Sequence, residues 1–600
     1  MWISSLRLLA SLLLSGIAVL ALDVRVLPEF FRPDPFGNIV EPDRSGNNVW
    51  VDAVRLRSAR MGYTSTQLII SAASEGKFEL NIELAGLPVH LYREWYHLNT
   101  ADRKYYPDAL IPIRLPHNAQ LPDPDNKVAG QKAQAFWIDI WIPADTSPGV
   151  HRGNATVTSG SETKSVPVEV TVLPQRIPEA DIVTMDSNSY GTSWMFEQFP
   201  KTLPQKGEDA LFRLIHAYHR IFYEHRSTFH QLGYGHAGKV GPEFAPELTG
   251  TGASKKVASW DRFDRHYGPL FDGSAFRDTH RGARPIPFVY LPVNPEWPAS
   301  YLWWGEPGYE REFTDVVSEM EQHFREKNWT STRFEIFFNH KKRYKGFEWD
   351  ADEIRFEKDN DYLAKYRQML NKAVPASTPV KFVFRLDTSW SMQDQFDRLK
   401  NVINFWVAGE DILGWYPERV RALKSRGDVV WTYGGTPAVQ QPSISITANP
   451  LKSWISGVDG FVRWLTVSPG PDPWFALTGG TETLVYPGDR FGIAEPMPSI
   501  RLKLQRNCVQ DLALLEEIAK QKGREQVQQE VTRRFNGTAL KQWRNAPPPL
   551  TGKPVLEWNN VDIDEALAAF QKSQPPPEPG AWLRVREYAL TDRNTTGKAR

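Results

Sequence analysis

The hydrophobic pattern of this chain changes period near residue 174, and that change limits its possible folds more than any other feature. Before it, short runs such as Gln67–Ser71 (QLIIS), Phe78–Leu84 (FELNIEL), Ala135–Ile142 (AFWIDIWI) and Val166–Val172 (VPVEVTV) alternate apolar and polar residues. Pro, Gly, Asn and Asp break them at close intervals. A period of two with such punctuation predicts an antiparallel β-sandwich over residues 23–173. The proline-stiffened stretch Pro174–Asp181 (PQRIPEAD) reads as a linker. After it, strand-like runs (Ile182–Met185, Pro287–Leu291, Arg333–Phe338, Val380–Leu386, Val402–Ala408, Val429–Tyr433, Gly460–Leu465) alternate with helical runs (Gly207–His225, Tyr309–Lys327, Tyr362–Ala373, Pro417–Ser425). A further strand is placed among His225, Arg226, His230 and His236. Repeated β–α alternation with strands apolar on both faces predicts a parallel α/β fold, and the length of 181–525 suits a closed (β/α)8 barrel. The fold class is therefore α/β plus all-β, a barrel preceded by a sandwich.

Composition narrows the function. The 600 residues carry 71 basic and 71 acidic side chains, so no electrostatic footprint for nucleic acid or an anionic membrane is visible. No glycine-rich phosphate fingerprint opens a helix, which argues against nucleotide cofactors. Cys508 is the only cysteine, which excludes an intrachain disulfide and any multi-cysteine metal site. The histidines lack metal-ligand spacing, so neither a metal nor a cofactor is expected. The 22 Trp, 20 Tyr and 31 Phe suit both a large core and the stacking of sugar rings. At the amino end, Arg7 precedes the apolar run Leu8–Leu22, with Val19–Ala21 as a cleavage site, and this reads as a secretory leader over 1–21. A secreted or periplasmic protein with no membrane span after cleavage is expected.

A barrel gathers its chemistry at the carboxyl ends of its strands. Following each strand candidate in turn gives Asn188 and Tyr190; His225 and Arg226; Asn294, Glu296 and Trp297, then Trp303 and Trp304; Asn339 and Lys341; Asp387 and Trp390; Tyr433; and Trp464. Polar and aromatic groups therefore recur where a glycan would bind. Beyond the fourth strand lies KGFEWDADEIRFEKD, which sets Asp352 beside Glu353. Two adjacent, partly buried carboxylates repel each other and divide into an acid and an anion, the pairing that sugar hydrolysis uses. The alternative is that these acids simply face the amino end of the following helix. Lys341 could equally be a solvated turn residue, Trp431 and Trp464 barrel core, and Asp387 a helix cap. After the barrel, residues 495–519 predict a long helix with Leu502, Leu504, Val509, Leu512 and Leu515 as a buried stripe. The proline-rich tail 545–600 is expected to pack loosely and carry no chemistry.

These motifs together resemble the catalytic family glycoside hydrolase family 123. The segments that carry the resemblance are REWYHLNTADRKYYPDALIPI and GQKAQAFWIDIWIPADTSPGVHRGNATV in the sandwich region. In the barrel region they are FFNHKKRY, WDADE, VVWTYGG, GVDGFVRW, LVYPGDRFG and PSIRLKLQRNCVQDLALL. The resemblance implies a β-sandwich joined to a (β/α)8 barrel, and an exo-acting β-N-acetylgalactosaminidase that uses its substrate's own 2-acetamido group. It makes Glu353 the general acid/base and Asp352 the residue that orients the acetamido group and stabilises the oxazolinium. The sequence departs from the pattern where Ile354 stands directly after the pair, a position at which members usually carry proline. It also places the pair 14 residues beyond Phe338, on a long loop. Two rival readings stay open at this level. One is a hydrolase of another glycoside in which Asp387 or Glu296 partners the acid. The other is a non-catalytic carbohydrate-binding or cell-surface protein.

Overall fold

The computed structural model describes residues 22–591 except 72–75, 204–206, 302–304, 355–357, 389–396, 468–472, 475, 478–482 and 545–576. The side chains of 476–477 and 536–544 are likewise left out. The expected leader, Trp303, Trp304, Trp390 and most of the tail thus lie outside the described residues. No helix among the described residues is long and apolar enough to cross a membrane.

The amino-terminal region forms two facing sheets. One orders its strands Asp23–Pro28, Gly62–Ser71, Ala133–Ile142 and Val89–Asn99, with Tyr105–Ile113 on the last. The other orders Val54–Arg60, Glu162–Arg176, Gly149–Ser159, Gly76–Leu84 and His117–Leu121. Pairing is antiparallel as expected, except that Glu162–Arg176 runs parallel to Val54–Arg60 and the short strand Ala476–Leu477 runs parallel to Val89–Asn99. Leu68, Ile70, Phe136, Ile138, Ile140, Leu80, Ile82 and Val157 fill the space between the sheets. The strand Ala133–Ile142 is buried along its entire length. Its even-numbered residues face the sandwich core, and Trp137 belongs to the core of the neighbouring barrel. Alternation reads as one wet face, but here the second face is covered by another domain.

Eight parallel strands follow: β1 (Thr184–Tyr190), β2 (Thr228–Leu232), β3 (Phe288–Tyr290), β4 (Arg333–Phe337), β5 (Lys381–Thr388), β6 (Phe405–Gly409), β7 (Val429–Gly434) and β8 (Gly460–Arg463). They hydrogen-bond in the order β2-β1-β8-β7-β6-β5-β4-β3, a barrel open only between β2 and β3. His230 of β2 bridges that seam by stacking on Tyr290 of β3, with centroids 3.7 Å apart and planes at 10°. The outer helices include α1 (Gly207–Glu224), α2 (Tyr309–Glu326), α3 (Asp359–Ala373), α4 (Pro417–Ser425) and α5 (Ala448–Ser456). One layer of the interior is apolar, made of Phe288, Val383, Phe405, Val407, Trp431 and Val462. Gly460 is what admits the Trp431 ring, because a Cβ there would lie 2.6 Å from the indole nitrogen.

α6 (Ile500–Lys522) begins at Ser499, whose Oγ accepts the Leu502 N–H at 3.0 Å. Every residue from Ile500 to Leu515 is buried, so the expected single stripe is corrected to a helix enclosed on all sides. Its polar residues meet the sandwich through ion pairs. Asp139 accepts from Lys503 Nζ at 2.6 Å and from both Arg506 Nη atoms at 2.9 Å, and Asp108 accepts from Arg501 Nη2 at 2.7 Å. α7 (Arg524–Arg544) follows, and then α8 (Ala581–Ala589) returns onto α6. Trp582 Nε1 and Arg586 Nε each donate to Asp511 at 2.8 Å, and Arg586 also pairs with Glu29 at 2.7 Å. The tail is therefore not loose throughout: at α8 it completes the interdomain core.

Candidate active site

The segment from Lys341 to Ile354 carries the adjacent acids, and its buried anchors place them. Phe347, Trp349 and Ala351 are buried, as is Ile354. Trp349 stacks on Tyr362 of α3 at 5.0 Å and 5°, and both Trp349 and Phe347 pack on the buried His340. With Phe347, Trp349 and Ala351 anchored on one side and Ile354 on the other, the turn at Asp352–Glu353 between them is left to face the barrel mouth. Ile354 supplies by packing the fixation that proline would give by stiffness. The helix dipole is served instead by Asp359 and Asp361 in the first turn of α3, so the pair is not a helix-start motif.

Two backbone bonds then fold the loop over the barrel mouth. Ala351 N–H donates to His340 O at 3.1 Å, and Glu353 N–H donates to Asp387 O at 3.2 Å. Glu353 holds a φ of 52°, in the left-handed region that side-chain-bearing residues seldom adopt. Lys341 Nζ lies 2.8 Å from Asp352 Oδ2 and 3.8 Å from Glu353 Oε2. Tyr433 Oη, at the end of β7, donates to Glu353 Oε1 at 2.6 Å. Burial pushes the Asp352 carboxyl up to about 7, against the pull of Lys341 and with the help of Glu353 and Asp387. The site therefore combines one carboxyl that titrates near neutrality, a second beside it, a lysine contacting both, and a phenol held on the second.

An aromatic rim borders these groups. His236 Nδ1 donates to Asn339 O at 2.8 Å, and its ring stacks on Tyr344 at 5.1 Å and 17°. Tyr190 lies 6.4 Å from His236 and accepts from Trp464 Nε1 at 2.9 Å. The ends of this rim are open to solvent, Tyr344 at 51% and Trp464 at 46% exposure. Trp464 is thus a mouth residue, whereas Trp431 is core. Lys341 is a site residue and no solvated turn.

The structure gathers Asn188, Tyr190, Asn339, Lys341, Asp352, Glu353, Asp387, Tyr433 and Trp464 at the carboxyl ends of the strands, and it gives the four expected residues His225, Arg226, Asn294 and Trp297 other places. His225 and Arg226 precede β2 and lie at the opposite end of the barrel. His225 Nδ1 donates to Ile221 O and its Nε2 faces Lys503, while Arg226 pairs with Asp181 at 2.7 Å. They end a helix and tie it to the linker and α6. Asn294 is fully buried and shapes its own loop, its Oδ1 accepting Glu296 N–H at 2.8 Å. Trp297 packs partly buried against the barrel's outer core. Glu296 is ion-paired with Lys345.

Below the mouth runs a column of buried charge that the sequence reading did not assemble. His230 lies 3.0 Å from Asp186 and 3.1 Å from Glu335. Glu335 pairs with Arg385 Nη1 at 3.0 Å, and Arg385 grips both oxygens of Asp387 through Nε (2.6 Å) and Nη2 (2.9 Å). Burial disfavours the His230 charge, but Asp186 and Glu335 outweigh it and raise His230 to about 9. Burial raises Asp387 against the pull of Arg385. The detectable signal was Glu335 and Arg385, charged residues inside the strand candidates Arg333–Phe338 and Val380–Leu386. Among the described residues no cluster of His, Cys, Asp and Glu is arranged to hold a metal.

No family model and no curated protein matches the chain in sequence. Among solved structures, a family 123 glycoside hydrolase from Clostridium perfringens, described in work on glycolipid glycan hydrolysis, aligns at a TM-score of 0.61 with 12% identity. The alignment covers 95% of this chain and 99% of that one. Bacteroides uniformis beta-glucuronidase 3 aligns at a TM-score of 0.30 with 10% identity, over 78% of this chain and 55% of its own. A Parabacteroides merdae beta-glucuronidase reaches 0.28 with 9% identity, over 78% and 55%. Only the first score is high enough to use. It shows that the fold, sandwich and barrel together, is that of the family 123 enzyme.

Proposed function

We propose that the protein is a glycoside hydrolase that removes terminal β-linked 2-acetamido sugars, N-acetylgalactosamine foremost, by substrate-assisted retaining hydrolysis. The observation that carries this reading is the Lys341–Asp352–Glu353–Tyr433 constellation at the barrel mouth. The shared fold with an enzyme of glycolipid glycans supports it.

The reaction needs one proton on the acid pair. Burial favours the protonated form of Asp352. A substrate acetamido N–H donating to Asp352 favours its anion instead, and Glu353 serves as the acid. Glu353 gives the proton to the leaving oxygen while the acetamido carbonyl oxygen attacks the anomeric carbon and the glycosidic C–O bond breaks. The oxazolinium that forms carries positive charge, which the Asp352 anion stabilises. Water then attacks the anomeric carbon, Glu353 takes its proton, and the acetamido group is restored. Because the substrate supplies the nucleophile, the carboxylate separations of ordinary retaining or inverting enzymes do not apply. Trp464 and Tyr344 offer faces for sugar stacking.

The test uses aryl 2-acetamido-β-glycosides. Glu353→Gln should lose activity on poor leaving groups and keep part of it on activated ones, which need little protonation. Asp352→Asn should slow good and poor leaving groups alike, by about 10²–10⁴-fold. A thiazoline mimic of the oxazolinium should inhibit the wild type and inhibit Asp352→Asn far less. Full activity in both variants would remove the assignment; activity only on sugars without a 2-acetamido group would remove the substrate-assisted step. Export belongs to the same reading and rests on the run at Leu8–Leu22. Mass spectrometry of the mature protein is expected to find its first residue near position 22, and recovery of peptides from residues 1–21 would refute it.

A further inference from the structure

The column of charge inside the barrel is out of place for a packing role. Barrel interiors are filled mainly by branched apolar side chains, and charges taken from water are costly unless each is met by a partner. Here Asp186, His230, Glu335 and Arg385 are each at most 2% exposed. Their signs alternate toward the mouth: Asp186, His230, Glu335, Arg385, Asp387. The register shows the climb. Glu335 pairs across the sheet with Val383, so Arg385 and Asp387 stand two and four residues further up β5. Asp387 is the last rung, and its carbonyl oxygen accepts the Glu353 N–H that keeps Glu353 at positive φ.

We propose that Asp387 is a positioning residue for the Asp352–Glu353 pair, fixed by the ladder beneath it, and that its negative charge keeps one proton on that pair in the working pH range. The inference rests on the hydrolase reading for its kinetic consequence; its electrostatic one follows from the backbone bond that sets Asp387 beside Glu353 and from the Asp387 charge being among those that raise Asp352. Both Asp387 oxygens are engaged by Arg385. Arg385 thus holds Asp387 in place as a carboxylate, against the burial that favours its protonated form. Other groups converge here from every neighbouring strand. Tyr190 ends β1, and His236 and Lys341 follow β2 and β4. Tyr290 of β3 lies under Arg385, and Tyr433 of β7 holds Glu353, with Asp411 beyond β6 acting on Tyr433. Arg463 of β8 turns away, toward Gln505 and Asn449. Among these, Lys341 is the cation in contact with the pair, and it draws protons off; Asp387 opposes it.

The test compares wild type, Asp387→Asn and Asp387→Glu by the pH profile of kcat/KM, and by a carbon-13 titration of labelled aspartate side chains that needs no turnover. Removing a like charge lets the pair lose its proton at lower pH, so Asp387→Asn should move the alkaline limb and the Asp352 titration down by about 0.5–1 unit. Asp387→Glu should restore the titration while kcat stays reduced, because the charge is kept and its place is not. An Asp352 titration unmoved in Asp387→Asn overturns the proposal whatever the enzyme hydrolyses. If Asp387→Asn does not fold, Asp387→Glu decides: wild-type kcat in that variant overturns the positioning role. If the wild type cleaves no glycoside at all, the hydrolase reading fails, and the titration still tests this one.

Discussion

His230 is the residue whose chemistry is least expected from its position. An imidazole between two carboxylates in a barrel interior is held charged well past its ordinary range, at about 9 against an ordinary 6.5. A raised folded pKa adds stability that is fully present below about pH 6.5 and is lost as pH rises through about 9. The shift is worth roughly 3 kcal/mol. Denaturant titrations should therefore show wild type losing stability across that window relative to His230→Gln. The difference between the two curves isolates the effect, because Lys503, lowered by burial to about 8, contributes with the opposite sign at higher pH. Parallel curves from pH 6 to 10 would mean that His230 is neutral in the folded protein.

Among the elements, α6 joins the two domains. Its apolar residues pack with α8, the β1 layer and α5, and its basic residues reach into the sandwich. Burial disfavours the Asp139 charge, yet Arg506 and Lys503 hold this carboxyl well below the usual range. Asp139→Asn leaves two buried cations without their anion, a change that costs about 3–5 kcal/mol. Urea unfolding monitored by far-UV circular dichroism is expected to show that loss, and a change below about 1 kcal/mol would show that the pair is replaceable. α8 has a parallel role on the other side, with Trp582 fully buried and donating to Asp511.

At the scale of the whole molecule, the sandwich and the barrel share one interior. Arg32 of the sandwich donates to the carbonyls of Val439 and Gln441, Trp95 Nε1 donates to Trp474 O, and Gln510 exchanges hydrogen bonds with Tyr63. A barrel produced from residue 181 onward would expose Arg501, Lys503 and Arg506 together with the apolar half of α6. It should therefore be insoluble or unfolded. Recovery of a soluble barrel with full activity would show that the sandwich is only an appendage. The aromatic rim lies wholly on the barrel, so the sandwich supports the site without entering it.

The sequence by itself determined the two periods, and with them the order of a sandwich and a barrel, because alternation and helical repeat are local consequences of backbone geometry. It also drew attention to Asp352 and Glu353, as an adjacent acid pair and through the family resemblance. It located Lys341, Tyr433 and Trp464 by their places after strands. What it could not supply were facts that depend on which face meets which neighbour. His225 and Arg226 look like strand-end residues until the fold puts them ahead of β2. Asp387 gives no sign in the sequence that Arg385 closes on it. α6 looks amphipathic until a second domain covers its polar side, and α8 lies in a stretch whose composition reads as a tail. Most of these depend on tertiary structure, because a charged side chain declares its role through its partner, and apart from Arg385, two residues from Asp387, the partners here lie 45 to several hundred residues away.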